Sequence, residues 1–177
     1  MPGTVGGVDA YLAVVAKREV RTYTDRSIPE EVVERLLEAG RVTGSSMNRQ
    51  PWRFLALESR EIRDAVADTV YAPSNLLGAA LAVAILVTGG ATGDFDAGRA
   101  AQNMMLTALN DGVGSCPNGV ADRDRFAELI ALEEGERPAI VLSFGFPAGA
   151  YRPEDRSPRE WIRRARRKPA AEVISRL

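Results

Sequence analysis

The chain has 177 residues, 45% of them hydrophobic and 27% charged, with a formal net charge of −1. That is one ordinary globular domain, long enough to bury a core without a disulfide or metal staple. It has no histidine and one cysteine, Cys116, which excludes Ser-His-Asp and Cys-His catalysis, histidine-held zinc or haem, and an intrachain disulfide.

Residues 1–8 are glycine-rich and read as a mobile start, with one domain over 9–177. They lack the cationic start and apolar run of a leader. Asp9 to Arg18 places Tyr11, Leu12 and Val15 at helical spacing. Arg21 to Tyr23 runs extended into a turn at Asp25. Pro29, Glu30 and Glu31 suit a helix start, and Val32, Val33, Leu36 and Leu37 give the apolar stripe up to a stop at Gly40. A polar loop, Thr43 to Gln50, leads to a strand over Arg53 to Leu57, and Ser59 caps a helix reaching Val70.

The apolar run Leu76 to Val87 is too short for a bilayer span, and Leu81 to Val87 reads as a strand buried on both faces. Gly89 to Gly93 reads as a turn, and Asp94 or Asp96 opens a long helix to Asn110, ended by Gly112. Ala97, Ala100, Ala101, Met104, Met105, Leu106, Ala108 and Leu109 bury more than one face of that helix, which suggests a subunit interface. Asp122 caps a helix carrying Phe126, Leu129 and Ile130. Pro138 to Phe146 is a second buried strand, and a helix over Pro158 to Ala165 precedes a basic tail. The order implies α+β or α/β, with helices covering a small sheet.

Residues 152–177 carry nine basic and four acidic side chains, the rest of the chain 14 and 20. The basic end, with Arg163, Arg164, Arg166, Arg167 and Lys168, attracts phosphate. It has little interleaved aromatic surface beyond Trp161, so a nucleic-acid partner is not expected. Gly112-Val-Gly114 lacks the third glycine of a dinucleotide fingerprint and follows a helix, and Gly89 to Gly93 lacks a P-loop's Gly-Lys-Ser/Thr. Lys17, Glu19 and Arg21 alternate along extended chain and can converge on an anion; a solvated helix end accounts for them as well. Ser45 to Trp52 offers hydroxyls, an amide and backbone N–H groups to a planar polar ligand, or forms a turn anchored by Trp52.

"KREVRTY" at 17–23 and "SSMNRQPWRF" at 45–54 resemble the start of the flavin-dependent nitroreductase family. "AAQNMMLTALNDGVGSCP" at 100–117 is similar to its central dimer helix and the turn after it. "RPAIVLSFGFP" at 137–147 resembles its last central strand, and "RRKPAAEVI" at 166–174 its phosphate-binding end. The resemblance spans residues 10–175. It implies an α+β three-layer sandwich, a central mostly antiparallel sheet flanked by helices, in a homodimer with two FMN sites at the subunit interface.

Carried over by residue, Lys17, Arg18 and Arg21 are the basic positions that meet the FMN phosphate and pyrimidine. Ser45, Ser46, Asn48 and Gln50 reach the flavin from the other subunit. Pro117, Asn118 and Gly119 lie near flavin N5, where a backbone N–H is expected, and Arg166 and Arg167 close on the phosphate. Arg21, Asn118 and Gly119 form the reacting edge. Glu19 stands where the family has a serine, and its carboxylate repels a dianion unless Arg18, Arg166 or Arg167 bridges it. Gly44 replaces a proline, and Asn75 is the polar substitute for a basic residue missing from Pro73 to Ala80.

The resemblance implies an FMN-dependent oxidoreductase. NADH or NADPH passes hydride to an oxidised small-molecule acceptor, such as a nitroaromatic or quinone, by ping-pong kinetics. The alternative is a non-catalytic flavin-binding or sequestering protein. Cysteine usage suits a reducing compartment, so the expectation is a cytoplasmic protein with neither a membrane nor a nucleic-acid partner.

Overall fold

The computed structural model describes residues 8–177. The expected mobile start lies outside the described residues except for Val8, whose backbone N–H donates to Asn110 Oδ1 at 3.0 Å. Asp9 caps α1 (Ala10–Ala16) by accepting from the Leu12 N–H. Then follow α2 (Glu30–Arg41), β1 (Trp52–Leu57), α3 (Arg60–Ala67) capped by Ser59, and β2 (Leu81–Val87). Next come α4 (Ala91–Asn110), β3 (Gly114–Asn118), α5 (Arg123–Ile130) capped by Asp122, and β4 (Arg137–Gly145). The chain closes with α6 (Pro158–Arg164), started by a Ser157–Glu160 capping box, and α7 (Ala170–Val173).

The strands form one antiparallel sheet in the order β1-β2-β4-β3. Every residue of β2 is buried, as its unbroken apolar run demands. Leu81, Val83, Ile85 and Val87 pack with α2 and α4 on one face. Ala82, Ala84 and Leu86 pack with Val66, Ala67 and Phe126 of α3 and α5 on the other. The result is the expected three-layer α+β sandwich, and each fully buried Leu, Ile or Val in it is worth roughly 1.5–3 kcal/mol.

Four local expectations are corrected. Gly40 does not end α2: the helix runs to Arg41, and Gly40 sits at the crossing with α4, where an added Cβ would lie 2.9 Å from Met104 Sδ. Residues 91–93 are helical rather than a turn, so Asp94 and Asp96 lie inside α4 and Gly90 is its N-cap. The helix after Ser59 stops at Ala67, three residues short of Val70. Residues 114–118 are a sheet-edge strand, not a turn; Pro117 is tolerated because β3 has a ladder on one side only.

The apolar positions of α4 are also explained within one chain. Ala97, Ala100, Ala101, Met104, Met105, Ala108 and Leu109 are buried within the chain itself and carry no argument for a partner, while Leu106, expected with them, is only half-buried. Among the described residues, no helix is long and apolar enough to cross a membrane.

Candidate functional site

Residues 17–23 form a strap laid against β3 and β4. Gly114 and Gly145 are paired in register, and their missing side chains open a notch. A Cβ on Gly114 would lie 2.7 Å from Val20, and one on Gly145 would lie 2.7 Å from the Tyr23 ring. The Val20 N–H donates to the Ser115 carbonyl at 3.0 Å, and the Ala148 N–H to the Thr22 carbonyl at 3.0 Å. The Tyr23 hydroxyl donates to the Val20 carbonyl at 2.7 Å and lies 3.0 Å from Ser143 Oγ. Burial pushes its pKa far up, so it stays neutral.

The strap's cations differ in what they have left to offer. Lys17 Nζ donates to the Arg18 carbonyl at 3.1 Å, to Glu19 Oε2 at 3.0 Å and to the Ser115 carbonyl at 3.5 Å, and its side chain is only 7% exposed. The Arg18 guanidinium donates to the carbonyls of Val15, Lys17 and Trp161, at 2.7–2.9 Å, and acts as a strut between α1 and α6. Glu19 is therefore neutralised by Lys17, and none of the expected arginines bridges it. Arg21 is exposed and forms no ion pair among the described residues. Beside it the Cys116 thiol is pushed up by burial, with Glu19 adding to the effect and Arg21 opposing it.

At the end of β3 the Asn118 amide is turned into the sheet. Its Nδ2 donates to the carbonyls of Cys116 and Val141 and to Ser143 Oγ, at 2.9–3.3 Å, while Oδ1 is buried with no partner. Pro117 and Gly119 are half-buried. The Tyr71 N–H donates to the Gly119 carbonyl at 3.1 Å, and the Tyr71 ring lies over Gly119, 3.2 Å from where a Cβ would be. A Val70–Val120 bridge fixes this contact, and half-buried Asn75 lies in the turn that follows Tyr71.

The loop before β1 holds unusual backbone. Met47, Asn48 and Gln50 have φ of 51°, 54° and 49°, a left-handed conformation costing roughly 1–2 kcal/mol for each non-glycine residue. Such strain persists where the surroundings fix it, typically at functional sites. Here Ser45 Oγ accepts from the Gln50 N–H at 2.8 Å, and buried Asp96 on α4 accepts from the Ser46 N–H at 3.0 Å. Ser46, Asn48 and Gln50 stand exposed, and Ser46 and Gln50 line a cleft of about 580 Å³, which is bounded also by Trp52, Thr88 to Gly90 and Glu136.

The strap and the Pro117–Gly119 segment share the β3 edge, and α6 meets the strap through Arg18 and Trp161. Arg166, with φ of 49°, and Arg167 are exposed beyond α6. The 45–50 loop enters the sheet at β1, the opposite edge, three strand spacings or about 14 Å away. Sequence reading missed Tyr71 and Asp96; each acts through a contact distant in the chain that no local pattern announces.

Fold and site together define a three-layer α+β protein with a cationic strap along one sheet edge. The model of the nitroreductase family matches residues 14–85 and 86–146, and the chain belongs to that family. A provisionally named NADH dehydrogenase/NAD(P)H nitroreductase of Methanothermobacter thermautotrophicus is 28% identical over 157 residues, which cover 82% of this chain and 81% of the relative. A solved structure of the same naming from Parabacteroides distasonis superposes with a TM-score of 0.81 at 21% identity, covering 96% of this chain and 98% of that one. An FMN-dependent nitroreductase from Clostridium difficile superposes with a TM-score of 0.74 at 20% identity, covering 79% and 88%.

Proposed function

We propose that the chain is an FMN-dependent oxidoreductase that passes hydride from NADH or NADPH to an oxidised small-molecule acceptor such as a nitroaromatic or quinone. The observation that carries this reading is the strap, which lies against β3 and sets an exposed Arg21, without an ion pair among the described residues, beside Cys116 in a nitroreductase fold. The residues present fit a flavin phosphate: exposed arginines line the strap edge, and Glu19 is already neutralised there. FMN, when bound, supplies the hydride chemistry.

The chain's own residues orient and polarise. Arg21 places fixed positive charge where reduction adds electron density. The Gly119 backbone, pinned through Tyr71, presents the reacting edge. With no histidine in the sequence, the acceptor's protons come from water. Reductant and acceptor use one opening in turn, which predicts ping-pong kinetics. The exposed Ser46, Asn48 and Gln50 reach this site from a second copy, because within one chain they enter from the far sheet edge; the working form is a homodimer.

An Arg21→Ala variant tests the assignment. Its flavin should have a lower reduction potential and be reduced more slowly by NADH or NADPH, by a barrier increment of roughly 2–4 kcal/mol. An unchanged potential and rate would remove Arg21 from the site. The rival reading, a flavin-sequestering protein, draws on Lys17 and Arg18 being spent on internal contacts; steady-state oxidation of NADH or NADPH by the purified protein excludes it.

A further inference from the structure

Asp96 is a carboxylate only 2% exposed, inside α4 and past the first turn where an acidic group favours a helix. Burying a charge is costly unless hydrogen bonds meet it. Its one ion-pair partner among the described residues, Arg99, stands 3.4 Å from Oδ1 and is itself 45% exposed. Oδ2 accepts from the Ser46 N–H at 3.0 Å, across 50 positions of chain.

Asp96, Arg99 and Asn103 share one face of α4, spaced three and four residues apart. That face meets the chain entering the 45–50 loop residue by residue. Asn103 Nδ2 donates to Thr43 Oγ1 at 2.8 Å. The Arg99 guanidinium takes the space left by Gly44, where a Cβ would lie 2.9 Å from Nη2. Asp96 then holds Ser46, and the left-handed residues Met47, Asn48 and Gln50 follow directly.

The other backbone bonds of the loop are its own. The Asn48 N–H donates to the Ser45 carbonyl at 3.0 Å and the Gln50 N–H to Ser45 Oγ at 2.8 Å. Among the described residues, the Asp96 carboxylate is the only hydrogen-bond partner that the 45–50 backbone finds outside the loop. Strained backbone persists only where its surroundings fix it, and an ionised acceptor holds an N–H more strongly than a neutral one.

We propose that Asp96 is a positioning residue for the flavin site: by fixing Ser46 it sets the left-handed turn that presents Asn48 and Gln50 to a second copy. The flavin contact rests on the proposed function; the hold on the loop does not.

Amide hydrogen exchange of the flavin-free chain reads the loop. In Asp96→Ala the Ser46 and Gln50 amides should exchange about tenfold faster or more, while the Met104 and Met105 amides inside α4 keep wild-type rates. Asp96→Asn keeps an acceptor oxygen and should restore most of the protection. FMN titration reads the site: Asp96→Ala should bind about tenfold more weakly or worse. At saturating FMN the visible circular dichroism of its flavin should differ from wild type, and Asp96→Asn should resemble wild type in both readouts. Unchanged loop exchange in Asp96→Ala, or exchange that rises equally along α4, overturns the hold on the loop. Faster loop exchange with wild-type affinity and dichroism overturns the positioning role. Wild type that binds no FMN overturns the proposed function, and the flavin role with it, whereas the exchange rates report on the loop as a separate result.

Discussion

Glu19 sits among Lys17, Arg18 and Arg21, and its carboxylate meets Lys17 at 3.0 Å with its own side chain 36% exposed. Alternation along extended chain told which residues share a face, but not which cation the carboxylate would choose. That choice follows from Lys17 being drawn in by the Ser115 carbonyl of β3, a partner 98 positions away. Glu19→Gln should leave the fold intact and release Lys17 toward an incoming phosphate. Open to solvent on its carboxylate side, the pair is worth roughly 1 kcal/mol, so FMN should bind up to about fivefold more tightly, with the gain shrinking in salt. Equilibrium dialysis against FMN checks this; loss of flavin binding would instead make the pair a shape-giving part of the strap. Asn118 shows the opposite limit: the resemblance gives it a place near flavin N5 through the backbone, and its side-chain amide serves the sheet.

At the scale of elements, the strap is held by an absence of side chains. Gly145→Ala would drive a Cβ to 2.7 Å from the Tyr23 ring. Overpacking of this kind costs roughly 1–3 kcal/mol, visible as a lower urea midpoint, and flavin affinity should fall with the displaced strap. An unchanged midpoint would mean that the strap is not wedged in the notch. On α4, Met104 is fully buried, and Met104→Ala should cost roughly 2–5 kcal/mol of stability. Phe95 on the same helix is 68% exposed; Phe95→Glu should spare stability and weaken self-association if α4 faces the second copy. The main helices and the central strands β2 and β4 were legible because their apolar periods are long and clean. β3 was not, because Gly114-Ser-Cys-Pro117 lacks β-branched residues and becomes a strand only through its pairing with β4 and the strap.

At the scale of the molecule, one chain keeps the strap and the strained 45–50 loop at opposite sheet edges. Both were legible as motifs, but their separation was not, since it depends on strand order. A site using both needs two copies, so sedimentation should show a homodimer whose flavin occupancy falls on dilution; a monomer that keeps its flavin would confine the site to one chain. On the proposed function, this nitroreductase-family chain moves hydride through bound FMN. The most direct test is to reconstitute the protein with FMN, add NADH or NADPH without oxygen, and watch the flavin's visible absorbance. The flavin should be retained, bleach with one or both nicotinamides and recover its colour on adding a quinone or nitroaromatic. A protein that retains no flavin, or whose flavin keeps its colour with both, would contradict it.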